Sequence, residues 1–240
     1  MASRDVLISI LTKGDATGAK NVGKSLDRMA EKAERAGKTL SLSVTAPLVA
    51  IAGLAVKAFA TQEKAQLELA AAIRANGGAV DTLLPKYEAL ASKIQEQTII
   101  GDEQTLGLIA TATQMGVQSD QMDEAIRGAI GLSKAFDVDL KTAARAAAAA
   151  LQGNTTLLTR YIPQLQDVES DSEKVALVQA AMARGFEQAK AEAKSLEGQL
   201  GQMKNAASDL LEVIGEALAP AVIKLAGGIK NAAESAQEAH

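Results

Sequence analysis

The sequence predicts an all-α protein, built from elongated Ala-rich amphipathic helices with a coiled-coil-like segment near its C-terminal end. Three observations carry that expectation. Hydrophobic residues make up 48% of the 240 positions, yet aromatics are only 2% and there is no Trp. Apolar residues recur at spacings of three and four through most of the chain, interrupted by helix-stopping signals. A heptad pattern then runs unbroken from Phe186 to Ala217.

Composition bounds the core first. Large aromatic side chains normally fill thick globular interiors, and this chain has few. Close packing of Ala-rich helices along their lengths is expected instead of one deep core. The net charge of −4, with Lys and Arg scattered, argues against sequence-specific nucleic-acid binding. Cys is absent, and the one His is His240. Disulfides, thiolate metal sites and an internal His base are therefore excluded. The start of the chain carries too short an apolar run for a secretion signal.

Residues 6–11, "VLISIL", form the one candidate strand. From Ala19 to Ala36, Val22, Leu26, Met29 and Ala33 recur at helical spacing, and Gly37 fits a stop. The region 1–38 is thus a strand and an amphipathic helix. Residues 39–75 follow as an apolar helix. Pro47 suits a first helical turn, with Thr45 as its cap. The uncharged run 39–56 approaches the roughly 20 residues of a membrane span, but its first third is polar. A buried helix is the plain reading. A membrane-contacting face of Leu48, Val49, Ile51, Leu54, Val56 and Phe59 is the alternative.

Across 76–170 the expected helices are 81–97, 102–115, 119–136 and 139–152. "NGG" at 76–78 ends the preceding helix. Asp81, Ser119 and Asp139 are the candidate caps. "RAAAAAL", 145–151, has very high helix propensity, and "QGNTT", 152–156, stops it. Pro163 and "DVESDSE", 167–173, mark the next boundary.

Residues 171–240 form a long heptad-patterned region. The a positions are Phe186, Ala193, Leu200, Ala207 and Ile214. The d positions are Ala189, Leu196, Met203, Leu210 and Ala217. Lys190, Glu192, Glu197 and Lys204 flank them. Phe186, Leu196, Leu200, Met203, Leu210 and Ile214 are the candidate self-association residues. The same pattern fits an amphipathic helix packed within its own chain. Gly198 and Gly201 each weaken the helix by about 1 kcal/mol relative to Ala, which leaves room for a bend or break there.

"GAKNVGKS", Gly18 to Ser25, spells a phosphate loop, with Lys24 and Ser25 in the lysine and magnesium-ligand places. Such a loop needs a strand running directly into it and a parallel sheet around it. Six residues separate Leu11 from Gly18, and no series of strands follows. The helical spacing also begins inside the motif. The match is read as a coincidence of helix spelling, and a P-loop NTPase is the weaker alternative. Without Cys or an internal His, the common nucleophile–base pairs are absent. No catalytic residue, cofactor or metal site is assigned, and the chain is not expected to be an enzyme.

Three blocks in order resemble the phage tail tape measure proteins. "LSVTAPLVAIAGLAVKAF" spans 42–59. "FDVDLKTAARAAAAALQGNTTLLTRYIPQL" spans 136–165. "LEGQLGQMKNAASDLLEVIGEALAPAVIKLAGGI" spans 196–229. Gly18–Arg35 is similar to that family's opening helix. The resemblance implies a virion protein assembled in the host cytoplasm. It would occupy the tail-tube lumen, set tail length, and leave on infection to assist DNA ejection. Implied partners are other copies of itself, the tail-tube protein, tail-tip or baseplate proteins, an assembly chaperone, and the host membrane or envelope during ejection. This chain is shorter than many members and lacks their long repeats and hydrolase domains. The resemblance implies either a short member or an N-terminal portion. A helical, pore-forming, membrane-active protein is the alternative function.

Overall fold

The computed structural model describes residues 42–238. The expected strand at 6–11, the opening helix and the Gly18–Ser25 motif lie outside the described residues. Among those described, the protein is all-α. Seven helices occur: α1 (Leu42–Ala75), α2 (Val80–Gln97), α3 (Asp102–Gln114), α4 (Met122–Phe136), α5 (Leu140–Leu151), α6 (Asp171–Ala193) and α7 (Leu196–Glu238). Two short 3₁₀ turns, Thr156–Leu158 and Pro163–Gln166, link α5 to α6. The described residues divide into two units, one of residues 63–205 and one of 42–62 with 206–238.

Local chemistry sets the boundaries. α1 ends at "NGG" as expected. Gly77 takes φ 73°, and the Gly78 N–H donates to the Ile73 carbonyl at 2.9 Å. That 6→1 bond satisfies a carbonyl the helix leaves open. Asp139 caps α5: its carboxylate accepts the Thr142 N–H at 2.9 Å and the Thr142 hydroxyl at 3.1 Å. These donors hold the Asp139 carboxyl below its ordinary range.

Other boundaries differ from expectation. α1 begins at Leu42, so Thr45 and Pro47 lie inside it rather than at its start. The Pro ring removes one intrahelical bond without ending the helix. Asp81 does not cap α2. Ala79 holds that position, and Asp81 sits in the first turn, where its charge favours the helix dipole. Ser119 does not cap α4. The turn runs on to Gln121, and the Ser119 carbonyl accepts from Lys86 Nζ at 3.1 Å.

The expectation of thin packing without a deep core is also corrected. In the 63–205 unit the buried side chains join into one contiguous core. Leu69 and Ile73 of α1 meet Tyr87 and Ile94, Leu106 and Ile109, Met122, Ile126 and Ile130, and Val178 there. Burial pushes the Tyr87 phenol pKa upward. α4 packs against α3, α5 and α6. The α4–α6 crossing explains how a chain so poor in aromatics builds this interior. A Cβ on Gly131 would lie 2.0 Å from the Met182 carbonyl oxygen. A Cβ on Gly185 would lie 1.9 Å from the Gly131 carbonyl oxygen. The two backbones touch, so Leu, Ile and Met suffice to fill the space around them. α5 contributes buried methyl groups from Ala143, Ala144 and Ala146–Ala150. Lys134 and Glu192, 2.7 Å apart, pair α4 with α6 at the edge of the crossing.

In the other unit, α1 and α7 pack just as closely. A Cβ on Gly215 would lie 2.0 Å from the Ala55 carbonyl oxygen and 2.7 Å from Phe59 Cβ.

Candidate interaction surfaces

The heptad-patterned stretch 186–217 is two helices, and the break falls just before Gly198 and Gly201 rather than at them. α6 ends at Ala193 and α7 begins at Leu196. The Lys194 and Ser195 amides bond back three residues, to Ala191 and Glu192. Ser195 Oγ then accepts the Gly198 N–H at 3.0 Å and so caps α7. A Cβ on Gly198 would lie 2.1 Å from the Glu192 carbonyl oxygen. Gly198 is therefore the residue that lets α7 leave so close beside α6.

This turn divides the heptad residues. Phe186, Ala189 and Ala193 on α6 face the core and are buried. The Phe186 ring also lies under the Arg127 guanidinium, 4.8 Å from its centroid. Leu196, Leu200 and Met203 on α7 are 77%, 58% and 67% exposed. They follow one another at four and three residues and so share one stripe. Glu197 and Lys204 are exposed beside it.

The neighbouring face of α7 explains that outward orientation. Gln202 Nε2 donates to the Glu96 carbonyl at 3.2 Å and to the Thr98 carbonyl at 3.4 Å. Asn205 Nδ2 donates to the Ile99 carbonyl at 3.2 Å. Gly201 rests against the Ile99 side chain. These amides satisfy carbonyls at and beyond the C-terminal end of α2, where the helix itself offers no donor. Fixing this face on α2 leaves the Leu196, Leu200 and Met203 stripe in solvent. Leu210 and Ile214, in the other unit, are half-buried.

A second surface was not foreseen. Between α4, α5 and the first 3₁₀ turn lies a cavity of about 210 Å³. Leu132, Ala143, Ala146 and Leu158 form buried walls. The Phe136 and Tyr161 rings, 6.2 Å apart, are half-buried in it. Arg145 and Arg160 also line the cavity and are exposed. The Arg160 guanidinium stacks on Tyr161 at 4.6 Å. The one sequence signal for this site is the alanine run itself. Methyl groups on α5 cannot fill the space beside Leu132 and Phe136.

A shallower, more open groove of about 540 Å³ lies between α4 and α6, lined by Asp123, Arg127, Gln179 and Phe186 among others. Its Arg127 is already engaged, by Asp123 at 2.8 Å and by Gln97 at 2.9 Å.

Of the candidate membrane-contacting residues, Ile51 and Leu54 are exposed and Val56 and Phe59 half-buried. Leu48 and Val49 lie on α1 outside the described side chains. Among the described residues, no helix is long and apolar enough to cross a membrane.

These features define the class as an all-α protein presenting an apolar helical stripe and an arginine-flanked apolar cavity. No family model, curated protein or solved structure matches the chain.

Proposed function

We propose that this chain is a structural tail protein of the tape measure type. It occupies the tail-tube lumen during assembly, sets tail length, and leaves on infection to assist DNA delivery. The observation that carries the reading is the order of three sequence blocks, at 42–59, 136–165 and 196–229. An all-α chain with a solvent-facing apolar stripe at heptad spacing is compatible with a protein that assembles alongside its own copies. The partners in this reading are other copies, the tail-tube protein, tail-tip or baseplate proteins and an assembly chaperone, with the host membrane met during ejection.

Helix rise bounds the length such a chain could set. A single helix of all 240 residues would span about 360 Å. Helices α2 to α6 double back within their unit, so in this form they supply far less. α7 has 43 residues, which corresponds to about 64 Å of rise. Inserting fourteen helix-forming residues after Gly227, where an added side chain meets nothing within 4 Å, lengthens α7 by about 21 Å. Tails assembled on this variant should lengthen to the nearest tube ring in electron micrographs. Tails of unchanged length with the variant protein inside them would sink the ruler mechanism for α7.

Exposed Ile51 and Leu54 favour one alternative, a membrane-active protein. Leakage from anionic vesicles, abolished by Leu54→Ser, would support it over a tail role.

A further inference from the structure

The cavity between α4, α5 and the 3₁₀ turn combines three features that point to one kind of occupant. The first is its size and lining. Protein interiors leave few voids larger than a water molecule, yet about 210 Å³ stands open here beside Phe136, Tyr161 and the alanine face of α5. Dry apolar cavities of about 150 Å³ take a benzene ring, so this one has room for a Phe or Leu side chain.

The second feature is charge. Arg145 and Arg160 line the same cavity, and neither makes an ion pair among the described residues. Asp139 attracts Arg145 electrostatically, while one of its carboxylate oxygens accepts the Thr142 N–H and hydroxyl. The third feature is preorganisation. The Arg160 guanidinium lies over the Tyr161 ring, 4.6 Å from its centroid, and a guanidinium held over a ring can still offer its edge N–H groups to a planar acceptor. A stacked guanidinium beside an apolar hole fits a carboxylate next to a large apolar side chain.

We propose that this cavity is a docking site for an acidic peptide segment of a partner protein. The segment seats one Phe or Leu against Phe136, Tyr161 and the alanine face of α5 and presents an adjacent Asp or Glu to Arg145 and Arg160. The site is separate from the α7 stripe and does not depend on a tail role for the chain.

The test uses the full chain and a fluorescein-labelled twelve-residue peptide of Glu and Ala with one central Phe-Glu pair. Fluorescence anisotropy should show saturable binding that weakens as salt is raised. Arg145→Ser with Arg160→Ser should weaken it at least about tenfold, the effect of losing a charge-assisted contact. Both positions are exposed, so the far-ultraviolet circular dichroism of that variant should match the parent. Replacing the central Phe by Ala in the peptide should weaken binding to a similar degree. Absence of saturable binding would overturn the proposal. So would equal affinity for the parent and the double variant, or for the Phe and Ala peptides.

Discussion

Replacing Gly185 by Ala tests the α4–α6 crossing, on which the interior of the 63–205 unit depends. The new Cβ would sit 1.9 Å from the Gly131 carbonyl oxygen, 2.6 Å from its carbonyl carbon and 2.9 Å from its Cα. Ordinary contact begins near 3.5 Å, so the helices must part by about 1.6 Å. Every atom that moves is backbone, and no side chain can swing aside. A gap of about 1 Å already forfeits up to half of each dispersion contact along the seam, and overpacking typically costs ~1–3 kcal/mol. The helix-propensity gain of about 1 kcal/mol opposes this. The upper end of the overpacking range applies, because Met182 and Phe186 are buried at the same crossing. A net loss of about 2 kcal/mol is expected. With a urea slope near 2 kcal/mol/M, the midpoint should fall by about 1 M. Gly107→Ala is the matched control. Gly107 also lies inside a helix, α3, but a Cβ there meets nothing within 4 Å. Its propensity gain is unopposed, so its midpoint should rise. Urea titration by circular dichroism reads both. A Gly185→Ala chain as stable as the parent, or two variants shifting in the same direction, would refute the contact argument.

Leu200→Asp with Met203→Asp places charge in the exposed α7 stripe, and light scattering should show weaker self-association at equal concentration. Parent and variant of identical monomeric mass would leave the stripe without that role. Asp139 has a lowered folded pKa, so its cap contributes fully above the unfolded value near pH 3.9. That contribution is lost as pH falls through the folded value. Thermal melts from about pH 6 down to pH 2 should therefore show a smaller acid-induced drop for Asp139→Asn, which keeps an acceptor but does not titrate. Lys24→Ala should leave the heat of mixing with ATP unchanged and at baseline. Binding abolished by that substitution would revive the nucleotide reading.

Local signals were legible where one residue's chemistry acts on its own turn. "NGG" at 76–78 and Asp139 are of this kind, because a left-handed Gly or a capping carboxylate works within five residues. The all-α class followed from spacing and composition for the same reason. The break at Lys194–Ser195 was hidden because it preserves the three-and-four phase of the apolar positions. A heptad count passes through such a turn unaltered. Ser195 followed by Gly198 was the available sign, a cap and a close approach rather than two weak helix residues. The core was misjudged because Gly131 and Gly185 act as a pair. Their 54-residue separation carries no local pattern, and each alone reads as a weak helix position. Of the arginine-flanked cavity the sequence shows only the alanine run on α5. The cavity itself requires α4, α5 and the 3₁₀ turn to meet first.

The absence of Trp turns the two tyrosines into built-in optical reporters. Tyr87 is 2% exposed in the core, while Tyr161 lines the cavity under Arg160. The tyrosine absorbance and emission of this protein therefore come from two environments with different chemistry. Filling the cavity should perturb the Tyr161 band while Tyr87 keeps its signature. Burial also delays ionisation of Tyr87 at alkaline pH. Each Tyr→Phe variant leaves a single chromophore, so occupancy of the cavity and melting of the core can be followed without any attached dye.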